Sequence, residues 1–293
     1  MNEQPYNYLG GNDCHETTNP FLRFHELTEG EVQNTIEKVF SNSQWVAAFK
    51  TDTHHGIKHG DQVRQSCYKL VDNLTDTEQE ILSREGTEIS SQKPQEHALT
   101  AIGVAAIFHD CGRFDGEGKM SHEQQNIHQI TSTERALIFC EKLGISKISD
   151  FVAGAIMSHD FQSERITPHL RPPKTIIGKI IQASDQMGWF HPDSVTRTIE
   201  YNKQVLGNPF FDSSVTLQER LAWTSGSTSK DALTVMLNQL FGPTTDQRFG
   251  IEYARKKVES YRFQLEKNIV GCANSREEAQ QVQDIINACR SRK

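Results

Sequence analysis

Six side chains stand out for the chemistry they could do together: His59, the adjacent pair His109-Asp110, His128, His159 and Asp185. Imidazoles and carboxylates are costly to bury unless something binds them, and a divalent metal ion is the commonest such partner. Each of the six ends or rides an apolar stretch. His59 heads the line Val63, Cys67, Leu70, Leu74, and His109-Asp110 follows the run Ala101 to Phe108, the most apolar of the chain. His159 closes the line Val152, Ile156, and Asp185 continues the line Ile177, Ile181, where an unpaired carboxylate needs a cation or a proton. His128 opens the stretch carrying Ala136, Leu137 and Cys140 on a mixed face, and His122 is the alternative donor there. Taken singly, each is as readily a satisfied core histidine or a solvated aspartate. Several apolar segments that each deliver a metal-type ligand at one end are a stronger signal.

The elements that must position these groups read as helices. Thr28-x-x-Glu31 and Thr75-x-x-Glu78 are capping boxes. Helical spacing of apolar residues recurs over 60–74, 95–109, 123–143, 148–159 and 174–188, separated by loops rich in Gly, Ser, Lys and Pro. The run Ala101 to Phe108 is short enough to be a buried strand, but its alanines favour helix. After Gly207-Asn-Pro209 further helical patterns occupy 216–224, 229–241, 246–269 and 275–290. The fold class expected is all-α, with an N-terminal helical extension over 1–50, a core over 51–205 and a C-terminal helical extension over 206–293. That last extension either packs on the core or pairs with a second subunit as a homodimer.

Composition bounds the function classes. The 293 residues carry a formal charge of −7 and are 35% hydrophobic, enough for a sizeable core, and no stripe of Lys and Arg balances phosphates along a nucleic acid. The longest apolar run is too short to span a bilayer, and the N-terminus lacks the pattern of a signal peptide. The six cysteines include no Cys-x-x-Cys pair, and the expectation is reduced thiols in a cytoplasmic protein.

The order His, then His-Asp, then Asp, with apolar helices between, resembles the HD superfamily of metal-dependent phosphohydrolases. The resemblance rests on Thr53-His-His-Gly-Ile-Lys-His-Gly-Asp-Gln-Val63, Ala106-Ile-Phe-His-Asp-Cys-Gly-Arg113 and Ile180-Ile-Gln-Ala-Ser-Asp-Gln-Met187, and covers roughly 51–190. It implies an HD-domain helical bundle in which His59, His109, Asp110 and Asp185 hold one metal. In subfamilies with two metals, Asp110 would bridge and His128 and His159 would complete the second site. His55-x-x-x-His59 followed by Val63 is similar to cyclic-nucleotide phosphodiesterases, which implies His55 as the acid that protonates the leaving oxygen. His-Gly-x-x-His with Phe-His-Asp-x-x-Arg is similar also to SidE-type phosphodiesterase domains. The chain departs from the first in lacking glutamine-centred purine-pocket motifs. It departs from cyclic di-GMP phosphodiesterases in lacking Gly-Tyr-Pro and in having His159-Asp160 where a His-His pair stands.

The ligand types suit one or two ions of Mn, Fe, Co, Ni or Zn better than Ca, with Mg admitted and no thiolate involved. Such an ion ionises water at neutral pH and neutralises phosphoryl charge, while Asp110 orients the attacking oxygen. Arg113 is either a clamp on a phosphate oxygen or a solvated loop arginine. The segment 112–123 is expected to border the site, with Asp115 and Glu117 as solvated turn residues, and Lys174 is a surface lysine. The expected function is hydrolysis of a nucleotide-like phosphodiester, with catalysis by His55 and Asp110. The alternatives are a one-metal HD nucleotidase cleaving monoesters and a non-catalytic nucleotide-sensing module.

Overall fold

The computed structural model describes residues 20–52, 55–120, 122–160, 171–192, 237, 240–242 and 249–291. The fold is all-α: the described residues form α-helices and short 3-10 turns, contain no strand, and include one isolated bridge between Phe114 and Met120. No helix among them is long and apolar enough to cross a membrane.

After a 3-10 segment at Pro20–Glu26 come α1 (Glu29–Val39), α2 (Gln44–Thr51), α3 (Ile57–Val71), α4 (Asp76–Ile89) and α5 (Pro94–Phe108). A 3-10 turn at Cys111–Arg113 leads to α6 (His122–Lys142), α7 (Ser149–Ser158) and α8 (Ile176–Phe190). Two further helices, α9 (Glu252–Gly271) and α10 (Arg276–Ser291), lie in the C-terminal part. Both capping boxes form: the Thr28 and Thr75 hydroxyls accept from the N–H groups of Glu31 and Glu78, whose carboxylates accept in return from the two threonine N–H groups.

The centre of the bundle is α5. Ala101 to Phe108 is helix rather than strand, and every residue from Thr100 to Phe108 is buried, so apolar character all round replaces a stripe. Small residues let neighbours come close. A Cβ on Gly60 of α3 would lie 2.8 Å from the Ile107 carbonyl oxygen, and α3, α4, α6, α7 and α8 all touch α5.

Three polar anchors, two of them buried, fix the outer elements. The Arg64 guanidinium, fully buried, donates to the Phe24 and Leu27 carbonyls and pairs with Asp61, tying the N-terminal segment to α3. The Glu85 carboxylate on α4 accepts from the N–H groups of Ile176 and Ile177 at 2.6 and 3.2 Å, capping α8; burial raises its pKa. Glu78 accepts from the Glu252 N–H at the start of α9, and α9 packs along α8. The patterns at 216–224 and most of 229–241 lie outside the described residues, as do Cys14 and His54. The other five cysteines are free thiols.

Candidate metal centre

Two of the ligand histidines are built the same way. His109 is the C-cap of α5 and His159 the C-cap of α7, the point where a helix leaves its last carbonyls without partners. Each ring turns back so that Nδ1 donates to a carbonyl three residues earlier, His109 to Ala106 and His159 to Ile156, both at 2.7 Å. A carbonyl only accepts, so the proton is on Nδ1 and Nε2 presents a lone pair in the neutral ring. Both side chains are buried.

His59 enters from the first turn of α3 and Asp185 from the third turn of α8. The helix runs on to Phe190, so Asp185 is half-buried inside it rather than trailing into water at its end. His59 Nε2 and His109 Nε2 each lie 3.5 Å from Asp185 Oδ1, and they lie 3.9 and 3.5 Å from Asp110 Oδ2. Donors about 2.1 Å from a common ion in a tetrahedron are about 3.4 Å apart. His59, His109 and Asp185 are therefore spaced to hold one cation, with Asp110 Oδ2 beside the two imidazoles.

The other oxygen of Asp110 looks the opposite way. His128, buried on α6, brings Nε2 to 3.3 Å from Asp110 Oδ1, and His159 Nε2 lies 3.7 Å from the same atom. The two Nε2 atoms are 3.4 Å apart. Arg113 Nε lies 2.7 Å from that oxygen, and its side chain is 18% exposed, so the solvated-loop reading of this arginine is overturned. The 3-10 turn that carries it is fastened to α6: the Gly112 N–H donates to Ser132 Oγ at 2.8 Å, and Arg135, stacked over Trp45, donates to the Cys111 carbonyl.

His55 and His59 are four apart, a spacing that puts two residues on one face of a helix. His55 nevertheless shares no helical face with His59, because Gly56 is the N-cap of α3 and His55 precedes it. Its N–H donates to Asp52 Oδ1, and Nδ1 meets Asp110 Oδ2 at 2.9 Å. An ionised carboxylate can only accept, so Nδ1 carries the proton in that contact.

The electrostatics show what this crowding does. Burial pushes His109 down, but the carboxylates of Asp110 and Asp185 outweigh it and lift the imidazole to about 9. Burial likewise raises Asp110, yet Arg113, His109 and the close imidazoles of His128 and His159 hold it well below the usual carboxylate range. Asp185 is held below that range against burial by the close imidazoles of His109 and His59. His128 is lowered by burial and by the Arg113 guanidinium.

Buried atoms nevertheless remain without aligned partners. His109 Nε2 and Asp110 Oδ1 make no well-formed hydrogen bond, their close contacts being ion pairs of poor alignment. A cation would satisfy these acceptors. The donor sets His59, His109, Asp185 and His109, Asp110, His159 each bring their ligand atoms within 4.8 Å of one another, so the cluster could hold a metal ion.

All six expected ligands meet in this cluster, with His55 and Arg113 against its central carboxylate. The His122 side chain lies outside the described residues. Among the described residues of 112–123, Arg113 makes the contact with the site. Asp115 forms a turn by accepting from Glu117 and Lys119, and Gly118 rests on Gln44 and Ala48 of α2. Lys174 is exposed. Sequence reasoning missed Gln186, which donates to the His159 carbonyl at 3.4 Å, and Asp160, whose charge acts on Arg113. The adjacency of Gln186 to Asp185 and the second His-Asp pair were the available signals. Comparison of the chain with models of known families, with curated proteins and with solved structures returns no match in any of the three.

Proposed function

We propose that this chain is a metal-dependent phosphohydrolase of the HD type, and within that class a phosphodiesterase acting on a nucleotide-like phosphoester. One observation carries the reading. A single buried carboxylate, Asp110, directs one oxygen toward His59 and His109 and the other toward His128 and His159, while Asp185 closes the first set. Chemistry that needs no cation has no use for so many lone pairs converging on one buried anion.

When bound, an ion at His59, His109, Asp110 and Asp185 supplies water ionisation near neutral pH and charge neutralisation on phosphoryl oxygens. Imidazole and carboxylate donors suit Mn, Fe, Co, Ni, Zn or Mg. The chain's own groups do the rest. Asp110 holds the His55 ring through Nδ1–H, and the imidazolium form, protonated on Nε2 as well, gives that second proton to the leaving oxygen and returns to the neutral ring. Arg113 adds positive charge beside the phosphoryl group. The Nδ1 contacts of His109 and His159 keep both rings from turning as charge builds.

The test is elemental analysis of the purified chain together with hydrolysis of a generic phosphodiester, each repeated on Asp110→Ala. The expected result is loss of both metal and turnover in the variant. Full activity of Asp110→Ala would sink the assignment, and turnover of monoesters alone would move it to the nucleotidase reading.

A further inference from the structure

The two sides of Asp110 are not equivalent in charge. On the Oδ2 side two carboxylates, Asp110 and Asp185, face the Nε2 atoms of His59 and His109, so an ion bound there meets two negative charges. On the Oδ1 side, among the described residues, the Nε2 atoms of His128 and His159 lie at 3.3 and 3.7 Å, and a permanent cation is already present. Arg113 Nε is 2.7 Å from Oδ1, nearer than either imidazole. Asp160, which accepts from Gln129 at 3.5 Å, supplies the guanidinium with a further negative neighbour.

Arg113 is not a side chain on a free loop. Its turn is bolted to α6 through Gly112 and Ser132 and through Cys111 and Arg135, and α6 is the helix that carries His128. Arginine keeps its charge at any pH a protein meets. A dication on Oδ1 would sit beside that guanidinium in a buried site, where repulsion between like charges is poorly screened.

Granted the metal-dependent reading above, we propose that Arg113 is the resident cation of the His128 and His159 side. It takes the place of a second divalent ion, and the chain holds one ion, on His59, His109, Asp110 and Asp185. His128 and His159 then line the site without holding an ion, and a second ion enters only where the guanidinium has been removed.

The experiment counts ions rather than turnover. The full chain, stripped with a chelator and dialysed, is titrated with Mn²⁺ by calorimetry, with free Mn²⁺ followed by electron paramagnetic resonance. The wild type is expected to saturate at one ion per chain. Arg113→Met is expected to take two, its second site gaining at least about tenfold in affinity from loss of the like charge. Arg113→Lys keeps a cation and should stay at one, and adding His128→Ala to Arg113→Met should return the count to one. Two ions of similar affinity in the wild type, or a single ion in Arg113→Met, overturns the proposal. No ion in the wild type overturns the metal reading itself, which separates the two failures. Should Arg113→Met not fold, Arg113→Gln removes the charge with a polar side chain and is judged by the same counts.

Discussion

Asp110 Oδ2 is approached by three imidazoles, and they differ in which nitrogen they offer. His59 and His109 offer Nε2 at 3.9 and 3.5 Å, distances suited to donors that share an ion with the carboxylate. His55 offers Nδ1 at 2.9 Å, a direct hydrogen bond with no space for an ion between. The same carboxylate thus orients an imidazole on one side and completes a ligand set on the other, and the two roles separate by mutation. His55→Ala removes the proton donor but none of the proposed ligands. It should therefore keep its metal content while kcat falls by about 10²–10⁴-fold, most severely with poor leaving groups. Metal analysis and a leaving-group series check this together. Loss of the ion in His55→Ala would show that His55 and His59 have exchanged roles.

At the scale of elements, the ligands lie at helix ends and beginnings, which decides what could be read in advance. His109 and His159 close helices whose apolar residues recur at helical spacing, so burial of the last side chain was legible from the pattern. Asp185 was legible for the same reason, as the next position after Ile177 and Ile181 on a buried stripe. The place of His55 outside the helix was not legible, because α3 begins only at Ile57, after the Gly56 N-cap, and a four-residue spacing does not reveal where a helix begins. The docking of the Arg113 turn on α6 depends on residues about twenty positions apart in sequence, which periodicity does not report. Gly112 is the tightest point of that docking. A Cβ there would lie 2.1 Å from the His128 carbonyl oxygen and 2.5 Å from the Ser132 nitrogen, both backbone atoms. Gly112→Ala must lift the turn off α6 and is expected to cost about 1–3 kcal/mol. Gly154→Ala is the matched control, since its Cβ meets nothing within 4 Å on α7 and should gain about 0.5–1 kcal/mol. Urea midpoints of the two variants check the pair, and an unchanged midpoint for Gly112→Ala would remove the docking argument.

For the whole molecule, the cluster links metal, proton and folding. The unfolded chain has no assembled site, so an ion that binds only the folded chain stabilises it by about 2.7 kcal/mol at a hundredfold excess over Kd. Protons oppose that linkage through His109. Its pKa is raised to about 9 in the folded, metal-free chain, so its contribution is fully present below about 6.5 and is lost as pH rises through 9. Asp110 and Asp185 work in the other direction: their pKa values are depressed, so their contribution is present above about 4 and is lost only as the solution becomes more acidic. Between pH 6.5 and 8.5 the two carboxylates are therefore constant, while the contribution of His109 declines. Metal-free protein should lose stability across that window. An ion bound through His109 Nε2 must displace the proton attracted there by the two carboxylates, so its affinity should rise over the same window. The two trends have opposite signs, and the gap in Tm between loaded and chelator-treated protein should widen with pH. At about 2–4 °C per kcal/mol for a chain near this size, the widening is readily measured by scanning calorimetry at pH 6.5, 7.5 and 8.5. A gap that stays constant or narrows would mean that the ion, if bound, does not use the nitrogen of His109 that the carboxylates keep protonated.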